Sequence, residues 1–425
     1  MYIRSDTGTG KTTLVKRYIS DTNKRVVSIV SRVSLADTQY DEFSKMGIDC
    51  YHYDLCKEDK YYYRNGDNVI ITIESIHRID AIADNANDYI VFLDEFDSLL
   101  KHLIKSPTVK NRAMIWMILR KLLRGCNQII ATDADIHSNR MKFVNDLDRK
   151  YQKVLNVYKH YEKQKVIMKE HLSFTSILNC MNKVEDKMIC CDSKKDTELI
   201  YKQLLSYKEV EWDTKTTKHT IGGKSYALYT SDEKRVNNLD ENDINIFSPK
   251  IIYGMDSIRP RPIFCNYREH TIGPTAMHQQ IARCRNITKL DYIFYKKEFQ
   301  EEKYSCPEDV KEEYHDYKKL SLPIKCTLPE SESKLYEEML CDLEYEEDCY
   351  NTNKALHFKI IAQEKGMIDQ ENKIQRSSTL ELDMESNILE KEKKDDFDPK
   401  DEKHQDLNAY LEFPLEVMVE NKDIF

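Results

Sequence analysis

The chain has 425 residues, 40% of them hydrophobic and 33% charged, with a formal net charge of −9. That length suits two or three domains rather than one core. No apolar run approaches the ~20 residues of a membrane span and no signal-type segment opens the chain, so a soluble intracellular protein with no membrane partner is expected. The 12 cysteines are scattered, with Cys190-Cys191 adjacent and no CxxC spacing, which supports neither a disulfide framework nor a zinc site. Charge is uneven: residues 1–300 carry 48 basic against 40 acidic side chains, residues 301–425 carry 17 against 34. A mildly basic body able to meet phosphates is thus followed by an acidic extension.

In chain order, residues 1–145 alternate strands and helices. Short apolar strands are expected at 25–30, 69–73, 89–93 and 128–131, with a clear amphipathic helix at 112–123. Buried strands alternating with helices imply an α/β fold with a parallel sheet covered on both faces, whose ligands gather at the carboxyl ends of the strands. A polar stretch at 146–165 reads as a linker. Residues 166–300 repeat the rhythm less cleanly, with strands at 187–191, 226–229, 244–247, 262–266 and 292–295, and with 213–224 as an exposed loop containing Gly222-Gly223. From 301 the periodicity weakens and charge blocks appear at 344–348 and 390–398, which predicts a mainly helical extension with solvated faces, in part disordered.

The strongest motif lies at the start: Ser5-Asp6-Thr7-Gly8-Thr9-Gly10-Lys11-Thr12. Small residues let backbone N–H groups wrap phosphate oxygens at a helix N-terminus, where the dipole favours negative charge. Lys11 is placed to reach β- and γ-phosphates and the Thr12 hydroxyl to ligate Mg²⁺, so ATP and Mg²⁺ are the expected ligands. Ser5, Gly8, Thr9, Gly10, Lys11, Thr12 and Thr13 are the candidate contacts. A Gly-rich turn inside a core region is the bland alternative.

Asp94-Glu95 follows the apolar strand at 89–93, where a phosphate-loop enzyme needs a Mg²⁺-holding Asp94 and a Glu95 able to polarise water. A surface acidic pair is the alternative. Ala131-Thr132-Asp133-Ala134-Asp135 could exchange hydrogen bonds with that pair and sense γ-phosphate, or be a plain turn or cap. Arg32, Ser34, Thr72, Ser75 and Arg78 follow two further strands and suit nucleic-acid phosphates, though capping or solvated side chains are equally ordinary there. Farther on, His278-Gln279-Gln280-Ile281-Ala282-Arg283-Cys284-Arg285 reads as a helix whose Arg283 and Arg285 could act as arginine fingers, with Gln280 beside them. An exposed arginine pair is the usual alternative.

Taken in order, these motifs resemble those of a superfamily 2 helicase. More narrowly, Arg32-Val33-Ser34-Leu35, Glu74-Ser75 with Arg78, Asp133-Ala134-Asp135 and the Gln-x-x-Arg-x-Arg ending resemble the helicase core of replication origin-binding proteins, of the herpesvirus type and their relatives in large DNA viruses and eukaryotes. Ser248-Pro249 followed by Gly254 is similar to that family's fifth motif and 191–194 to its fourth, although Gly254-Met255-Asp256-Ser257 departs from the usual fifth motif.

Over residues 1–300 the resemblance implies two RecA-like domains in tandem, at 1–145 and 166–300, with ATP between them and single-stranded or forked DNA across them. It implies an ATP-hydrolysing helicase or translocase working in DNA replication, in the nucleus or a cytoplasmic viral replication site. Lys11 and Thr12 would bind phosphate and Mg²⁺, Asp94 hold Mg²⁺ and Glu95 be the catalytic carboxylate. Arg283 and Arg285 would be fingers, and Ser34, Arg78 and Gly254 would lie near DNA. Because only four residues precede the loop, the first strand and the adenine-contacting segment are expected to be missing. A non-motor DNA-binding or scaffold protein with a decayed ATP site, and an RNA helicase, are the rival readings.

Overall fold

The computed structural model describes residues 1–22, 24–52, 63–135, 138–210, 216–230, 238–249, 256–268, 272–295, 300–316 and 328–370. Residues 1–371 form one compact unit built on two sheets. The first contains β1 (Tyr2–Arg4), β2 (Arg25–Val30), β3 (Tyr51–His52), β4 (Val69–Thr72), β5 (Tyr89–Asp94), β6 (Gln128–Asp133) and β7 (Lys153–Leu155). Their spatial order is β3-β4-β2-β5-β6-β1-β7, and every pairing is parallel. A parallel sheet must be covered on both sides. One face packs Val27, Ile71, Val91 and Leu93 under Trp116 and Leu119; the other packs Val26, Val30, Ile70 and Phe92 under Val15, Ile19 and Phe43.

The second sheet comprises β8 (Ile167–Glu170), β9 (Lys187–Cys191), β10 (Lys218–Ile221), β11 (Lys224–Tyr229), β12 (Ile244–Phe247), β13 (Ser257–Tyr267), β14 (Cys284–Phe294) and β15 (Ile368–Asp369), in the order β10-β11-β12-β9-β13-β14-β8-β15. Only the β10–β11 pair is antiparallel. Two tandem α/β domains with parallel sheets of the RecA-like kind, followed by helices, are therefore the architecture. In each, the parallel strands bring their following turns to a single edge.

Four expectations change. The first strand is present: β1 sits between β6 and β7 in register Tyr2↔Ala131 and Tyr2↔Lys153, so the phosphate loop stands on a paired strand. The expected linker supplies β7 to the first sheet and a helix, His160–Gln164. The expected loop at 213–224 instead ends in a hairpin, because Gly222 (φ 57°) and Gly223 (φ 75°) accept the left-handed geometry of a tight two-residue turn between β10 and β11. Residues 213–215 lie outside the described part.

The extension is the largest correction. Helix Glu330–Thr352 buries Leu335, Tyr336, Met339, Leu340 and Leu343 in the first domain's core. Helix Lys354–Glu364 buries Phe358 and Ala362 in the second domain's core, and β15 then adds to β8. Its charge conceals this role: within the acidic block 344–348, Glu344, Glu346 and Glu347 pair with Lys101, Lys105 and Arg140 of the first domain. The expectation of disorder and the charge block at 390–398 fall outside the described residues. Among the described residues ten cysteines are unbonded, no group of acidic, His or Cys side chains is arranged for a metal, and no helix is long and apolar enough to cross a membrane.

Candidate nucleotide site between two domains

The loop leaves β1 under tight local control. Its Ser5 N–H donates to the Asp133 carbonyl at 3.0 Å. The Ser5 hydroxyl meets Thr9 Oγ1 at 2.5 Å and accepts from Asn156 Nδ2 at 2.9 Å, while Thr9 Oγ1 donates to the Asp6 carbonyl at 2.7 Å. Gly8 and Gly10, at φ 80° and 82°, take the positive torsions that turn successive N–H groups inward. Helix Lys11–Thr22 starts at once, so Lys11 and Thr12 occupy its first turn and Thr13 faces solvent. Lys11 makes no hydrogen bond among the described residues and acts through space on Glu95 and Asp133.

Asp94 ends β5, where its carboxylate is 3% exposed. It accepts from Thr132 Oγ1 at 2.6 Å, Gln39 Nε2 at 3.0 Å and Thr12 Oγ1 at 3.3 Å. Hydroxyl and carboxylate oxygens converging beside a phosphate loop are hard donors of the kind Mg²⁺ takes when it arrives with a nucleotide, so Thr12 and Asp94 fit the metal they were assigned. Gln39, itself held by Ser28 Oγ at 2.5 Å, was missed in the sequence; an isolated glutamine inside a helix carries no signal.

Glu95 adopts left-handed torsions (φ 54°, ψ 57°), a conformation costing a non-glycine residue about 1–3 kcal/mol and maintained only where the surroundings enforce it. Part of the residue remains accessible, yet Oε2 is buried without a hydrogen-bond partner. Burial pushes its carboxyl up to about 8; Arg283 opposes the rise, Asp94 and Asp133 add to it, and Lys11 opposes it. Asp133 is also raised, first by burial and then by Asp97, while accepting from the Asp97 and Asp135 N–H groups at 2.7 and 3.1 Å.

The arginines come from the second sheet. Helix Pro274–Ile281 ends before them, so Arg283 lies in the following turn and Arg285 on β14, not on one helix as expected. From the turn and the strand both guanidinium groups reach Asp256: Arg283 Nη1 at 3.1 Å and Arg285 Nη2 at 2.5 Å. Arg285 lies directly on the phosphate loop, where a Cβ added to Gly8 would come within 3.0 Å of its Nη1. Of the charges acting on Glu95, that of Arg283 opposes the rise of its carboxyl most. Asp256 was not singled out as a site residue, since it stood in the departure from the expected fifth motif.

Gln280 is corrected. It is wholly buried in the second domain, donating to the Cys191 and Phe247 carbonyls at 3.1 and 3.4 Å and accepting from Tyr267. Its amide ties β9, β12 and β13 together instead of facing the cleft. Thr72 is corrected too: it is 4% exposed and its hydroxyl serves Glu74, so it is closed to a nucleic-acid phosphate. Arg32 and Ser34 are exposed at the end of β2, and Ser75 and Arg78 half-buried after β4, on the edge of the sheet that holds the loop. Gly254 lies outside the described residues. Between the domains a cavity of about 340 Å³ is lined by Ser31, Arg32, Lys101, Gln279, Glu346 and Tyr350.

Comparison with known proteins agrees with the sequence resemblance. A family described as "Origin of replication binding protein" matches residues 1–200. A replication origin-binding protein of varicella-zoster virus (strain Dumas) is 29% identical over 148 residues, which is 34% of this chain and 17% of that protein. A putative replication origin-binding protein of Acanthamoeba polyphaga mimivirus is 24% identical over 340 residues, 74% of this chain and 39% of that one. The chain thus spans about a sixth of the herpesvirus relative and two fifths of the mimivirus one. Among solved structures, S. cerevisiae Dbp5 bound to RNA and ADP BeF3 covers 69% of this chain and 78% of its own at 13% identity and a TM-score of 0.45. Mycobacterium smegmatis helicase Lhr bound to ssDNA and AMP-PNP covers 70% and 44% at 12% identity and a TM-score of 0.46. Over residues 1–200, the stretch that carries the phosphate loop, Asp94-Glu95 and the turn at 131–135, this chain is similar to the replication origin-binding proteins.

Proposed function

We propose that this chain is the ATP-driven motor core of a replication origin-binding protein, using hydrolysis to move on or unwind DNA during replication. One observation carries the reading: Arg285 of the second domain rests on Gly8 of the first, with Arg283 the opposing charge for Glu95. A site divided in this way ties hydrolysis to the relative position of the two domains.

Within it, the loop N–H groups and Lys11 would bind the phosphates, and Thr12 and Asp94 would hold Mg²⁺, which would supply positive charge to neutralise them. Glu95, in its deprotonated form, orients water and receives its proton. Arg283 and Arg285, released from Asp256, stabilise charge developing on the γ-phosphate. Arg32, Ser34, Ser75 and Arg78 hold the DNA backbone without reading sequence.

The test is ATP hydrolysis with and without single-stranded DNA or RNA, for the wild-type chain, Lys11→Ala and Glu95→Gln. We expect DNA-stimulated turnover that Glu95→Gln lowers on the order of a hundredfold or more while nucleotide binding persists. Turnover no greater than that of Glu95→Gln in the presence of DNA sinks the motor reading; stimulation by RNA alone moves it to RNA.

A further inference from the structure

A further cation reaches the nucleotide site, and it comes from the extension. Lys365 follows helix Lys354–Glu364, and its Nζ stands 3.2 Å from Asp6 Oδ1 and 3.2 Å from Asp135 Oδ1. Both acceptors belong to the first domain. Asp6 is inside the phosphate loop, where the same Oδ1 accepts the Thr7 N–H at 2.8 Å. Asp135 closes the turn after β6, and its N–H donates to Asp133. A single ammonium therefore ties together the two turns that frame the nucleotide.

Lys365 itself is held by the second domain on both sides. Before it, Phe358 stacks on His278 at 4.5 Å, and His278 Nε2 bonds the Phe358 carbonyl at 2.8 Å. After it, Gly366 turns at φ 88° against Glu162, where a Cβ would come within 2.8 Å of backbone nitrogen. Then the Ile368 and Gln370 N–H groups donate to Val166 and Met168 at 2.8 Å. The preceding helix, Glu330–Thr352, is embedded in the first domain, and only Asn353 separates the two helices. The extension is thus a strap anchored on both domains, with the cation at its far end.

We propose that Lys365 is a positioning residue of the nucleotide site: it latches the second domain onto Asp6 and Asp135, so that the strap sets the geometry in which Arg285 meets the phosphate loop. The inference rests on the proposed nucleotide site but not on turnover. Its side chain is 12% exposed and the acceptors 13% and 20%, so little solvent screens the contact. Burial alone would pull the lysine's pKa down, but Asp135 and Asp6 outweigh it and keep the ammonium charged. Removing one partner of such a group leaves uncompensated charge and opens the contact.

Amide hydrogen exchange of the full chain without nucleotide tests this, and so reads the latch whether or not the chain hydrolyses ATP. Lys365→Met is expected to speed exchange in peptides covering 5–12 and 131–135 by about tenfold or more, leaving the β9 peptide at 187–191 unchanged. Lys365→Arg, which keeps the charge, is expected to restore most of the protection. Exchange within twofold of wild type in both peptides overturns the proposal. So does a rise spread equally over 187–191, or an Arg variant no better than Met, since either marks a general packing role. A latch without DNA-stimulated hydrolysis would refute the motor and leave Lys365 standing.

Discussion

Glu95 shows how a single side chain carries the chemistry and its cost. Its left-handed torsions and partnerless Oε2 place the carboxyl where burial favours the protonated form, giving a titration near 8 against an ordinary 4.5. The folded chain then holds a proton that the unfolded chain has lost. Stability consequently falls as pH rises from about 4.5 to about 8 and is flat outside that window. The slope from this group is at most ~1.4 kcal/mol per pH unit. Glu95→Gln should abolish it, as urea unfolding of both proteins at acid, neutral and alkaline pH would show; identical pH dependence in the two would refute the assignment. Asp94 and Glu95 were legible because an apolar strand followed by two acids is a local pattern. Asp256, Gln39 and Asn156 were not, because each acquires its role from a partner 27–151 positions away.

At the scale of elements, the strap is the feature that local pattern concealed. Helix Glu330–Thr352 is rich in acidic residues, and its apolar stripe is interrupted by Glu332, which reads as solvated. In the fold Glu332 is 4% exposed, accepting from Trp116 Nε1 at 2.7 Å and from Arg120 and Arg124 at 3.1 and 2.6 Å. Arg120 is completely buried, so deleting its carboxylate partner leaves a charge with less compensation. Glu332→Ala should destabilise the chain by about 3–5 kcal/mol, measured by urea unfolding; a loss below ~1 kcal/mol would mean that the helix does not rely on this anchor. Strands β2, β5, β6, β9 and β12 were legible from their apolar runs nearly to the residue. By contrast β1 and β7, three residues each, are too short for a period to register, and β14 was read only at its apolar end because Arg285 and Asn286 open it with polar side chains. Arg283 and Arg285 were found by spacing, although the helix assumed for them was wrong.

For the whole molecule, the chain passes from the first domain to the second at 146–166, returns between β14 and helix Glu330–Thr352, and crosses again at Asn353, the joint of the strap. The groups of the proposed nucleotide site come from both sides of the boundary: the loop, Asp94 and Glu95 from the first domain, Arg283, Arg285 and Lys365 from the second. If the site hydrolyses ATP as proposed, such an arrangement would make hydrolysis report domain position, and domain position respond to hydrolysis. Asp256 holds both arginines near the loop. The most direct test of the divided site is single-turnover hydrolysis of saturating Mg·ATP by Arg285→Ala in the presence of single-stranded DNA. The account predicts a rate lowered by about 10²–10³ with ATP affinity changed little; a rate equal to that of wild type would contradict it.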